Sequence, residues 1–198
     1  MQQLKIIVVL MIMAGLNSCS DETSGTHEIV DSTIKKLPGN TNSIAGGADT
    51  LEALNFYNNG NIKKKAKDFK GAILDYDKAI EINSKYSSAY NNRGSAKGSL
   101  SDFKNALADF NKAVEYDTSN VDAVFNRALV KAKMNDVKGS IKDFNRAIQL
   151  NPSNGDYYTK RGIARSLLGD QKGSCLDFSK GAELGNAESA GYKKKFCK

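Results

Sequence analysis

The stretch Val121–Asn154 reads VDAVFNRALVKAKMNDVKGSIKDFNRAIQLNPSN, and the 34 residues before it, Ser87–Asn120, read SSAYNNRGSAKGSLSDFKNALADFNKAVEYDTSN. Laid over one another without a gap, they share a spaced set of small and aromatic residues. Ala53–Tyr86 and Gly155–Glu188 carry the same register to either side, so four 34-residue units run in tandem. The eighth place holds Gly60, Gly94, Ala128 and Gly162, and the twentieth holds Ala72, Ala106, Ser140 and Ser174. The twenty-fourth holds Tyr76, Phe110, Phe144 and Phe178, and the twenty-seventh Ala79, Ala113, Ala147 and Gly181. Self-similarity at such a period marks a stacked-repeat architecture. Small residues recur where two helices must approach closely, and a ring recurs one turn from a small residue.

This small–aromatic–small pattern resembles the tetratricopeptide repeat family over Ala53 to about Asn186. The resemblance implies an all-α, right-handed solenoid of four helix-turn-helix hairpins. The proline common at position 32 stands only at Pro152, and Gly181 replaces the last alanine, which loosens helix ends without threatening the fold. A Sel1-like repeat is the alternative, suggested by Ala182–Ala187 (AELGNA), but its period is longer than the strict 34 here. In each hairpin a turn should separate helix A from helix B at Lys67-Asp68, Ser101-Asp102, Asn135-Asp136 and Gly169-Asp170. Asp or Asn there can cap helix B by accepting an N–H bond. Apolar residues of helix B, such as Ile73, Leu107 and Ile141, should face the next repeat, because no hairpin buries its face alone.

Leu184-Gly185-Asn186 reads as a helix stop, and residues 187–198 as a final helix capping the stack. Cys175 lies about ten residues before that turn and Cys197 about eleven after it, so an antiparallel pairing puts them at equal height. A disulfide is expected. The alternative is two thiols filling apolar space.

Residues 1–18 do not belong to the repeats. Lys5 precedes the eleven-residue apolar run Ile6–Leu16, too short to span a membrane but suited to a secretory signal. Leu16-Asn17-Ser18-Cys19 resembles the lipobox of bacterial lipoproteins, which implies lipidation of Cys19 and a lipid-anchored place in a bacterial cell envelope, on an outer membrane or the periplasmic side of a membrane. A plain cleaved signal is the alternative. Residues 19–49, rich in Ser, Thr, Gly and Asn, read as a flexible tether, and residues 50–186 as the repeats.

Composition narrows the function. The chain carries a net charge of +7, and its sole histidine, His27, falls in the tether, so no histidine-based triad or metal pair is available. Asp75, Asp109, Asp143 and Asp177 recur at 34 residues and so line separate repeats rather than converging. Neither enzyme activity, cofactor nor metal is expected. Export argues against nucleic acid, although Lys63–Lys65 and Lys193–Lys195 suggest an alternative role at anionic lipid or glycan surfaces.

The family resemblance implies a concave groove lined by helices A, taking a peptide or protein partner. Carried onto this sequence, the groove positions give Tyr57, Asn58, Asn61, Asn91, Asn92, Phe125, Asn126 and Lys160, with Lys64, Lys65 and Lys133 nearby. A carboxamide both donates and accepts, so a row of asparagines can pair with a ligand's backbone. Some family members clamp a C-terminal carboxylate. Asn61 and Asn92 match two clamp places, but Asp122 stands where a clamp lysine belongs and Asn126 where a basic residue belongs. The resemblance therefore does not imply tail binding. Arg93, Arg127 and Arg161 read as braces between neighbouring helices. The sequence names neither the partner nor an oligomeric state.

Overall fold

A computed structural model describes residues 45–197. The signal segment, Cys19 and the tether up to residue 44 lie outside the described residues. Nine helices follow in order among the described residues: α1 (Ala45–Lys65), α2 (Phe69–Ile82), α3 (Ser87–Ser99), α4 (Phe103–Tyr116), α5 (Val121–Lys133), α6 (Val137–Leu150), α7 (Gly155–Leu167), α8 (Gln171–Glu183) and α9 (Ala187–Phe196). They pair as the four expected hairpins, and α9 closes the stack. Helix α1 begins at Ala45, so the last five residues of the segment read as tether, 45–49, are helical. Once a hairpin has nucleated a helix, each further turn costs little, and no proline lies closer upstream than Pro38. Helix α9 starts at Ala187, so the last two residues of the fourth 34-residue unit belong to the cap.

The turns inside the hairpins repeat one device. Asp68, Asp102, Asp136 and Asp170 each accept the backbone N–H three residues on, at 2.9, 3.3, 2.9 and 2.8 Å. The residue before each cap is left-handed: Lys67, Ser101 and Asn135 have φ of 62, 64 and 67°, and Gly169 has 81°. Only the last avoids a Cβ penalty of roughly 1–2 kcal/mol. The left-handed step folds Asp68 N–H back to the Lys63 carbonyl at 2.9 Å, which ends helix A tightly.

Packing explains the recurring small residues. A Cβ added at Gly60, Gly94 or Gly162 would sit 2.5, 3.0 or 2.8 Å from the ring of Tyr76, Phe110 or Phe178. Tyr76, Phe110 and Phe144 are buried to 2 % exposure or less. Between hairpins, Val130 of α5 packs into Ala106, Phe110 and Leu107 of α4, and Ala164 of α7 into Val137, Phe144 and Ile141 of α6. At the end of the stack the cap covers Ile163 and Phe178 with Tyr192 and Cys197. A disulfide joins Cys175 to Cys197, with Cα atoms 5.5 Å apart. Gly181 departs from alanine because Ser189 fills that space: a Cβ there would collide with its Oγ.

A row of charges braces each hairpin. Arg93, Arg127 and Arg161 each grip the buried aspartate of their own helix B with two nitrogens, Asp109 at 3.0 and 2.6 Å, Asp143 at 2.9 and 2.7 Å, and Asp177 at 3.0 and 2.6 Å. A second cation joins each: Lys97, Lys131 and Arg165. The arginines also reach back to the preceding helix B, at Asp77, Asn111 and Asn145. Burial alone would lower the Arg93 guanidinium, but its bonds and charge interactions with Asp109 and then Asp77 push it up instead. The first hairpin lacks the arginine and pairs Lys63 with Asp75 at 2.7 Å.

Candidate functional site

Consecutive A helices pack on one another, α1 on α3, α3 on α5, α5 on α7 and α7 on α9, whereas each B helix meets the next hairpin chiefly through its A helix. The A helices therefore line the inner, concave side. Along this floor runs a hydrogen-bonded network that joins three hairpins. The Tyr76 hydroxyl donates to Asn61 Oδ1 at 2.8 Å. Asn92 Nδ2 donates to the same oxygen at 2.8 Å and to the Tyr57 hydroxyl at 3.1 Å. Asn92 Oδ1 accepts from Lys64 Nζ at 3.2 Å and from Asn91 Nδ2 at 3.3 Å. Asn126 Nδ2 donates to Asn91 Oδ1 at 3.0 Å. Burial of the Tyr76 phenol, followed by the neighbouring Tyr57, drives its pKa far up, so it stays a donor.

The groove residues read from the sequence thus separate into three groups. Tyr57, Asn61, Asn91, Asn92 and Asn126 come together in this network. Asn58 does not: it is exposed and shares in none of these bonds. The asparagines run as a zigzag through the fifth, sixth and ninth places of the unit, because a sixth-place side chain leans onto the previous A helix. Phe125 meets the buried Tyr157 ring at a tilt of 42°, with centroids 4.8 Å apart. Lys160 is engaged by Glu188 of the cap at 2.9 Å. Lys133 lies 5.3 Å from the Phe103 ring centroid, and burial lowers its pKa.

Tyr76 belongs to a B helix, and the groove reading of the sequence passed it over. A signal was available: it is the one hydroxyl-bearing ring at a place where the other three units have Phe. Among the described residues no group of three His, Cys, Asp or Glu side chains is arranged to hold a metal. No described helix is long and apolar enough to cross a membrane.

A model of the tetratricopeptide repeat matches residues 54–86, 87–120 and 121–154. The chain belongs to the tetratricopeptide repeat family. The fourth hairpin, α7 and α8, falls outside that match but repeats the same turn, cap and ion pairs. Solved structures of this repeat family superpose well. The chain is similar to YrrB, described as a tetratricopeptide protein with an unusual peptide-binding site, at 23 % identity and a TM-score of 0.64 over 77 % of this chain and 81 % of that one. It is similar to the first tetratricopeptide domain of Spaghetti (RPAP3) bound to the HSP90 peptide SRMEEVD, at 26 % identity and a TM-score of 0.58 over 60 % and 95 %. An Arabidopsis OM64 domain matches at 27 % identity and a TM-score of 0.58 over 60 % and 98 %. No curated protein matches this chain in sequence.

Proposed function

We propose that this protein is a non-catalytic scaffold that binds a peptide or protein segment in its concave groove, and that it is held at a bacterial cell envelope by a lipid on Cys19. The network from Tyr57 to Asn126 carries the first part. It gathers polar groups from three hairpins on one inner surface, and among the described residues the Asn61 N–H groups and the Asn126 oxygen are not spent within it. The likeness to a domain solved with a peptide supports the same reading. The anchor rests on the sequence of residues 5–19 alone. The alternative, binding to anionic lipid or glycan surfaces, draws on Lys63–Lys65 and Lys193–Lys195; in the first cluster Lys63 pairs with Asp75 and Lys64 bonds Asn92.

The test places a photoreactive side chain at Ser95 in the groove, or at exposed Ala108 on the outer face, in the protein within its own envelope. Adducts from Ser95 and none from Ala108 support the reading. The reverse pattern moves binding to the convex face and overturns it. For the anchor, an alkyne fatty acid should label the wild type and not Cys19→Ser. Equal labelling would refute lipidation at that residue.

A further inference from the structure

The groove's hydrogen bonds determine which of its groups are left for a ligand. A carboxamide offers two donors and accepts two bonds. Asn92 uses all four within the protein: its oxygen holds Lys64 and Asn91, and its nitrogen serves Tyr57 and Asn61. Among the described residues, Asn61 spends its oxygen on Tyr76 and Asn92 and keeps both N–H groups, and Asn126 spends one N–H on Asn91 and keeps its oxygen. Asp122 lies one turn before Asn126 on the same face of α5, exposed, and among the described residues no cation pairs with it. Lys160, on the next A helix, is held by Glu188. Phe125, three residues after Asp122 on α5, is half-buried and backs onto the buried Tyr157 ring.

Resting on the groove reading above, we infer that the ligand is an extended segment from within a chain, presenting a Lys or Arg side chain to Asp122. Asn61 N–H groups meet a backbone carbonyl, and Asn126 Oδ1 meets a backbone N–H. Asn92 is a positioning residue that holds Asn61. The cation pairs with Asp122 and can lie against the half-buried Phe125 ring three residues on, a combination that suits a guanidinium above all. An acidic chain end, like that of the peptide SRMEEVD bound to the Spaghetti domain, meets repulsion from Asp122.

The experiment selects binders from two displayed random 12-residue libraries on the intact folded protein. One library has constant flanks on both sides, and the other ends in a free carboxylate. The flanked library should enrich Arg or Lys at one position. The selected peptide, re-measured by anisotropy, should bind Asp122→Asn about tenfold more weakly, as for one lost charge-assisted hydrogen bond. Changing its Arg to Ala should cost the same on wild type and nothing further on Asp122→Asn. Selection of acidic residues or of free chain ends overturns the inference, as does equal binding to Asp122→Asn. Ser95→Trp separates the two levels. If it abolishes binding while Asp122→Asn does not, the groove stands and the charge assignment falls. If Ser95→Trp binds as well as wild type, or neither library yields a binder, both fall.

Discussion

Removing the Asp143 carboxylate tests what the charge ladder contributes. Asp143 is 6 % exposed and accepts two bonds from Arg127 and one from Lys131, all between 2.7 and 2.9 Å. In Asp143→Ala both cations remain without their anion, inside a hairpin whose neighbouring surfaces are packed. Stripping one partner from a buried pair costs about 3–5 kcal/mol. The Arg127 and Lys131 side chains keep 19 % and 22 % of their exposure, so they retain some contact with water. The lower end, about 3 kcal/mol, is expected. Glu115→Ala removes a pair exposed by 47 % and 59 %, and should cost about 0.2–1 kcal/mol at most. Urea denaturation at pH 7, followed by helical circular dichroism, compares the two. A loss at Asp143 no larger than that at Glu115 would refute the reasoning, and would mean that the ladder is ornament on a hydrophobic stack.

Other expectations follow from single contacts. Gly162→Ala sets a methyl 2.8 Å from Phe178 Cε1 and should cost about 1–3 kcal/mol in the same urea assay; Ala128→Gly at the equivalent place should cost only about 1 kcal/mol of helix propensity. Reducing Cys175–Cys197, or making Cys197→Ser, should destabilise by about 3 kcal/mol and speed amide exchange in α9 before the rest, measured by hydrogen exchange. Ser101→Gly relieves a left-handed serine, and should be neutral or stabilising by up to about 1 kcal/mol in thermal unfolding, whereas Ser101→Val should destabilise. Bonds from Asn105 hold the Asp102 carboxyl below the usual range, so the cap's contribution is complete above the ordinary carboxylate pKa and fades as pH falls through the depressed one. Asp102→Asn should flatten that acid dependence in urea midpoints measured across the acid range.

What the sequence by itself determined is whatever repeats or is local. The period of 34 set the number and order of hairpins, since each unit meets the same neighbours and must solve the same packing problem. The Asp caps and the Gly–ring contacts were legible because a cap acts over three residues and a helix pair over one turn of chain. The bracing role of Arg93, Arg127 and Arg161 was legible for the same reason, as their aspartates recur at one fixed spacing. Tertiary structure decided what depends on which side chains lean across hairpins. Asn92 meets Tyr57, Asn61 and Lys64, residues 28 to 35 positions away, and so loses the free amide that its place in the pattern suggested. Asn58, at the same position of the first unit, has no preceding A helix among the described residues to lean on and stands apart. Lys160 lies at a groove position, yet its charge goes to Glu188 because the cap helix enters two residues early. Periodicity places a residue on a face. Which of that face's donors and acceptors remain open is set by partners from other hairpins, and those distances exist only once the stack has formed.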